Sequence, residues 1–281
     1  MKTYLECIPC FMKQAYRTAK IATNDDKKVK EVLDSVGEMI KSISMENTPP
    51  ETGNYIYKKI REVTLNHDPY HKIKRENIEE ALELYPRLKH IVLWSDDPLL
   101  TAIRIAIAGN VIDLGVEKEF DIAQDLQTIL KQQFAIFDYE VFKEHLHSAK
   151  SILYIGDNAG ESVFDRILIE QMGKPTTFVV REIPVINDCI IDDARASGLH
   201  EVAEVISSGS TAPATILSLC NTDFLEKFQR ADLVISKGQG NYEGLSEVRR
   251  PVFFMLKAKC KVIANDLNVN ENDIVLKGIN I

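Results

Sequence analysis

Asp157, Asn158, Asp188 and Lys237 stand in three short polar segments, each following or lying near an apolar, strand-like run. The segments are Ile155-Gly156-Asp157-Asn158-Ala159-Gly160-Glu161, Pro184-Val185-Ile186-Asn187-Asp188 and Ser236-Lys237-Gly238-Gln239-Gly240-Asn241-Tyr242-Glu243. Carboxylate and amide oxygens are hard ligands of the kind magnesium or manganese prefers, with phosphate oxygens and water completing the shell. A lysine holds a phosphoryl group as a point charge and neutralises charge that develops in its transfer. Two carboxylates, an amide and a lysine together suit metal-assisted phosphate chemistry.

Each segment also has a plainer reading. Gly156 to Ser162 is equally a strand-to-helix turn with a capping carboxylate, whose helix start offers N–H groups to an anion. Asp188 is a second metal carboxylate or a group that activates water, or else part of an Asn-Asp helix cap; Asp192 and Asp193 read as a solvated acidic face. A lysine in a turn is usually a surface lysine. Gly238 and Gly240 favour function at Lys237, because two glycines so close suggest backbone approaching a ligand.

The elements that must position these residues are legible from periodicity. From about residue 9 to residue 147 apolar positions recur at three- and four-residue spacing, as at Val29, Val32, Leu33, Val36 and Ile40, which predicts helices. Thr48-Pro49-Pro50-Glu51-Thr52-Gly53 and Asn66-His67-Asp68-Pro69-Tyr70 read as loops between them. The run 91–94 is taken as helix, and Asp97-Pro98 starts another helix.

From residue 151 short β-rich runs alternate with helical segments, which reads as a parallel sheet. Strands are expected at 152–155, 176–180, 201–206, 233–236 and 261–264, and helices at 162–172, 222–230 and 253–258. The expected fold is α/β, a Rossmann-like mostly parallel sheet flanked by helices. It divides into a helix-rich region over 1–147 and an α/β domain over 148–281 that carries the metal site, the two packed as one unit. In an open α/β sheet, ligands bind outside the carboxyl ends of the strands, so loops distant in sequence converge there.

Composition narrows the function classes. At 281 residues, 45% hydrophobic and 27% charged, the chain has ordinary globular usage and room for a sizeable core. A net charge of −8 and a pI near 5.4 argue against a nucleic-acid binder. No run approaches the roughly 20 apolar residues of a bilayer span, and the start lacks a signal-peptide apolar region, so a cytoplasmic protein with no membrane or nucleic-acid partner is expected. Five cysteines, Cys7, Cys10, Cys189, Cys220 and Cys260, do not resemble a secreted disulfide framework. Cys7-Ile8-Pro9-Cys10 has the spacing of half a zinc site or a redox pair, with buried reduced thiols as the alternative. His67 and His71 are four apart, but Pro69 between them spoils a one-face pair of metal ligands. No P-loop, Gly-x-Ser-x-Gly elbow or His-Glu-x-x-His motif occurs.

Taken in order, Cys7-Ile8-Pro9-Cys10, His67-Asp68-Pro69-Tyr70, Ala108-Gly109-Asn110-Val111-Ile112-Asp113 and the three polar segments resemble the damage-control phosphatase family, once called domain of unknown function 89. The chain is most similar to the stand-alone prokaryotic branch with an amino-terminal cysteine pair, from near residue 7 to about residue 275. The resemblance implies metal-dependent hydrolysis of phosphate monoesters of small metabolites, sugar phosphates or damaged phosphometabolites. Asp157, Asn158 and Asp188 fall on the family's metal positions, and Lys237 on its phosphate-contacting lysine. Asn110 and Asp113 match a segment near the substrate pocket, with Asn241 on the substrate side of the last motif. Glu161 matches a nearby acidic position that, like Asp188, is a candidate to take the proton of the attacking water.

The implied cofactor is one divalent cation, magnesium, manganese, cobalt or nickel, with a second metal at Cys7 and Cys10 as a further expectation. The partner is a small phosphorylated metabolite; the oligomeric state is not legible. A relative described as an S-adenosylmethionine-dependent protein-glutamate carboxyl methyltransferase supplies the alternative function, and a noncatalytic metal- or nucleotide-binding module a third.

Overall fold

The computed structural model describes residues 1–109 and 130–281. Five helices come first: α1 (Cys7–Ala22), α2 (Asp26–Ile40), α3 (Pro49–Thr64), α4 (His71–Leu93) and α5 (Pro98–Ala108). Then follow β1 (Phe134–Phe137), α6 (Tyr139–Ser148), β2 (Ile152–Ile155), α7 (Ser162–Met172), β3 (Thr176–Val180), α8 (Ile191–Ala196) and β4 (Glu204–Ser207). The chain continues through α9 (Thr222–Arg230), β5 (Leu233–Lys237), α10 (Gln239–Leu245), β6 (Val252–Lys257), α11 (Lys261–Leu267) and β7 (Ile274–Ile279). No helix among the described residues is long and apolar enough to cross a membrane.

The seven strands form one sheet in the order β1-β7-β6-β5-β2-β3-β4. All neighbours are parallel except β6 and β7. After β4 the chain returns to the other side of β2, so the strand order reverses between β2 and β5. That reversal leaves a crevice at their carboxyl ends.

Alternation along the strands feeds two cores. Ile152, Tyr154, Phe178, Ile235, Phe253 and Met255 pack on one face with α4, α5, α6 and α7. Leu153, Ile155, Val179, Val234, Phe254 and Leu256 pack on the other with α1, α2 and α3. The early helices therefore share the sheet's cores, covering both of its faces.

Several expectations are corrected. Pro49 and Pro50 open α3 instead of lying in a loop, because proline is pre-organised for a first helical turn. The Thr48 hydroxyl accepts from the Glu51 N–H while Glu51 accepts from the Thr48 N–H at 2.6 Å, a reciprocal cap. The segments 253–258 and 261–264 exchange roles: the first is β6, buried on both faces, and the second opens α11. A short continuous apolar run fits either element, and sheet pairing decides. The fourth strand begins at Glu204, after a 3-10 turn at Leu199–Glu201. β1 joins the sheet beside β7, so the sheet begins before residue 148.

Candidate active site

Asp157 follows β2, and three backbone hydrogen bonds fix its loop against neighbouring chain. The Gly156 N–H donates to the Val179 carbonyl at 3.0 Å, extending the β2–β3 ladder. The Cys189 N–H donates to the Asp157 carbonyl at 2.8 Å, and the Ala159 N–H to the Asn187 carbonyl at 2.9 Å. Asn158 and Asp188 thereby pair as an isolated antiparallel bridge. Two adjacent oxygen-bearing side chains and a third 30 residues on in sequence are stitched side by side. The turn that delivers Asp188 holds Ile186 at φ +44°. A β-branched residue pays for that conformation, which persists only where surrounding contacts over-determine it.

Arg181, just past β3, lies beneath this pair and is 1% exposed. Its Nε donates to Asp188 Oδ2 at 2.8 Å, one terminal nitrogen to Thr215 Oγ1 at 3.1 Å, and the other to Asn241 Oδ1 at 3.0 Å. That second nitrogen is also 3.9 Å from Asp157 Oδ1. Asn241 in turn donates from Nδ2 to the carbonyls of Gly156 at 3.0 Å and Lys237 at 2.8 Å. One buried polar hub thus ties the ends of β2, β3 and β5 together. Burial pushes the Asp188 carboxyl up to about 7, with Arg181 opposing and Asp157 adding to the rise.

Lys237, the last residue of β5, is fully buried. Its ammonium donates to the Ala106 carbonyl at 2.8 Å, to Asp165 Oδ1 at 2.6 Å and to Glu161 Oε1. An ammonium has three donors, and these three acceptors use them. Burial opposes its charge, but Asp165 and Glu161 outweigh burial and raise its pKa. Burial also raises Glu161, to about 8, against the attraction of Lys237. Burial raises Asp165 as well, so one buried ammonium is shared by two carboxyl groups that both resist ionisation.

Gly238 follows at φ +80°, and a Cβ there would sit 2.0 Å from Asp157 Oδ2. Only glycine lets β5 turn away while the Asp157 carboxylate lies against its backbone.

Asp157, Asn158 and Asp188 face a cavity of about 760 Å³. Its opposite wall comes from α1 and α3, including Cys10, Arg17 and Tyr57, and its rim from Gln239, Lys259 and Cys260. Glu161, Lys237 and Asn241 are buried behind the wall. Asn110 and Asp113 lie outside the described residues.

The donor set on the cavity floor is two carboxylates and an amide oxygen, all hard, which fits a divalent cation whose remaining positions go to water or phosphate. The like-charge pressure between Asp157 and Asp188 supports that fit, because a cation would relieve it. Among the described residues no three His, Cys, Asp or Glu side chains are grouped to hold an ion, at Cys7 and Cys10 or elsewhere.

Sequence reasoning passed over Arg181, and it placed Lys74 with Asp68, Tyr70 and Lys72 in a polar pocket or a solvated loop. An arginine after a strand carries no spacing signal, yet Arg181 joins Asp188, Thr215 and Asn241 in one buried network. Lys74 is buried in α4 and donates to Asp193 Oδ2 at 2.8 Å, with Asp68 Oδ2 at 3.1 Å. Asp193 is therefore half of a buried ion pair that the partly exposed Asp68 extends, and not part of a solvated face. Through it the His67-Asp68-Pro69-Tyr70 loop anchors α8, immediately after Asp188; Asp192 is exposed as expected.

Residues 3–275 match the damage-control phosphatase ARMT1-like domain. A damage-control phosphatase of Pyrococcus horikoshii is 34% identical over 98% of this chain and 97% of its own length. One from Archaeoglobus fulgidus is 33% identical over 99% of both chains. The crystal structure of a DUF89 family protein from Pyrococcus horikoshii superposes with a TM-score of 0.92 at 32% identity, covering 98% of each chain.

Proposed function

Since this chain belongs to the damage-control phosphatase ARMT1-like domain family, we propose that it hydrolyses phosphate monoesters of small metabolites with the help of one divalent cation held by Asp157, Asn158 and Asp188. Phosphatase activity is the family-level role of the named relatives; the metal and the substrate are our reading. The observation that carries it is the Asn158–Asp188 bridge, which sets two carboxylates and an amide on the floor of one cavity where the strand order reverses.

Magnesium, manganese, cobalt or nickel would there polarise a phosphate oxygen and make bound water more acidic. The chain's own residues do the rest. Arg181 fixes the Asp188 carboxylate and lends it positive charge from behind. With Arg181 directing its Oδ2, Asp188 faces the cavity as a ligand and as the candidate to accept the proton of an attacking water. Glu161, the other candidate, is turned to Lys237 behind the wall. Lys237 stabilises the anionic site through Glu161 and Asp165. The cavity exceeds what a phosphate group fills, leaving room for a metabolite body between α1, α3 and the sheet.

Methyl transfer, the alternative raised by the sequence, has no use for clamped hard-oxygen ligands. The test is to strip the protein with chelator and follow phosphate release from p-nitrophenyl phosphate and a sugar-phosphate panel, restoring each metal singly. Release that returns with metal and is absent in Asp157→Ala is expected. Silence across the panel with metal demonstrably bound would sink the phosphatase reading.

A further inference from the structure

The cysteine pair that the phosphate chemistry leaves unused lies on the same cavity. Cys7 is the first residue of α1 and Cys10 stands one turn on, 147 residues before Asp157 in sequence, yet both line the wall that faces it. Cys260, at the start of α11, lines the rim. All five cysteines are free thiols; Cys7 is buried, Cys10 exposed and Cys260 between. Cys10 Sγ accepts from Gln14 Nε2 at 3.4 Å, and Gln14 is itself held by the Tyr57 hydroxyl from α3. Gln239, two residues past Lys237, donates to Cys260 Sγ at 3.5 Å.

We propose that Cys10 is a thiol-exchange site on the active-site cavity, which takes a low-molecular-weight disulfide and is cleared by Cys7. Exposure and an amide donor suit Cys10 to the attacking role, because the thiolate is the nucleophile and needs access. Cys7 is suited to the second step. It is buried one helical turn from Cys10, which shields it from an external disulfide and leaves the Cys10 sulfur as its neighbour; burial pushes its thiol up, against a backbone hydrogen bond at Tyr4.

The steps balance. The Cys10 sulfur attacks one sulfur of R–S–S–R; that bond breaks, a Cys10–S–S–R bond forms, and R–SH leaves with the proton. The Cys7 sulfur then attacks the Cys10 sulfur, giving a Cys7–Cys10 disulfide and a second R–SH. Two electrons pass from the cysteine pair to the external disulfide.

Geometry permits the closure. Residues three apart in a helix have Cβ atoms about 5–6 Å apart, and a disulfide needs about 3.5–4.5 Å. The first turn of α1 has no side-chain cap and can close that gap locally. Until it closes, the R group on Cys10 stands in the cavity, over the floor that Asp157 and Asp188 form.

The test incubates the full chain with glutathione disulfide and follows intact mass and peptide maps. Wild type is expected to pass through one glutathionyl addition and end two hydrogens lighter, with the bond mapped to Cys7 and Cys10. Cys7→Ser should stall with the adduct on Cys10, Cys10→Ser should gain neither product, and Cys260→Ser should follow wild type. An adduct that forms equally in Cys10→Ser, a disulfide mapped to Cys260, or no accumulation in Cys7→Ser would overturn the proposal. In stalled Cys7→Ser, phosphate release should fall at least tenfold and return with dithiothreitol; unchanged release would show that the adduct leaves the cavity open. This last readout rests on the phosphatase reading: no release before glutathione disulfide is added counts against that reading, while the mass results stand alone.

Discussion

Arg181 donates from Nε to Asp188 Oδ2 at 2.8 Å, with both side chains 1% exposed. The pair joins the end of β3 to the loop that answers it across the Asn158–Asp188 bridge. Because Arg181 also reaches Asn241 and Thr215, its planar fork fixes the direction of Asp188 as well as its charge.

Arg181→Met should therefore weaken metal binding about 10–100-fold, the usual effect of losing the group that orients a ligand. It should also cost about 3–5 kcal/mol of stability by leaving a buried carboxylate unpaired. Arg181→Lys should recover part of the stability and less of the affinity, because an ammonium cannot serve three partners in one plane. Titration calorimetry with manganese beside chemical denaturation separates the two effects; unchanged affinity in folded Arg181→Met would refute the positioning role.

Gly238→Ala tests the close approach of backbone to Asp157. The added methyl falls 2.0 Å from Oδ2 at φ +80°, so either the strand end or the carboxylate must move. A cost of about 1–3 kcal/mol is expected for the backbone conformation alone, with metal affinity falling at least about tenfold if Asp157 is the group displaced. Wild-type affinity in this variant would mean that Asp157 is not displaced or does not hold the ion, and Asp157→Ala, which removes the ligand outright, separates the two.

Lys237 and Asp165 should show strong coupling. Lys237→Met leaves two buried carboxyl groups without their cation and should cost about 3–5 kcal/mol. Asp165→Asn added to it should return part of that loss, with a coupling of about 0.5–3 kcal/mol. Simple additivity in a denaturation cycle would show that the two do not act as a pair.

Glu243 gives a pH signature at a residue of the cavity wall that is not itself a metal ligand. Burial pushes its carboxyl up to about 7, against the hydrogen bond from Gln239. A folded pKa above the unfolded one contributes stability at low pH, and that contribution is lost as pH rises through the folded value. Relative to Glu243→Gln, which does not titrate, wild type should lose stability between about pH 5 and about pH 8. A stability difference that stays flat or grows with pH would contradict the shift.

The sequence alone determined the kind of scaffold and the residue types that its polar segments carry. Oxygen ligands, a lysine and glycines sit after apolar runs, and alternating β and helical periods specify a mostly parallel sheet, because these signals are local in the chain. It could not separate β6 from a helix, since a doubly buried strand and a buried helix segment are equally apolar over six residues. Nor could it show that Pro49 and Pro50 start a helix until the Thr48–Glu51 cap was seen closing around them.

Only the tertiary structure decided which charges meet. Arg181 with Asp188, Lys237 with Asp165 across 72 residues, and Lys74 with Asp193 across 119 are selected by burial. A buried charge must find its partner wherever the fold brings one within reach, and sequence spacing does not encode that distance.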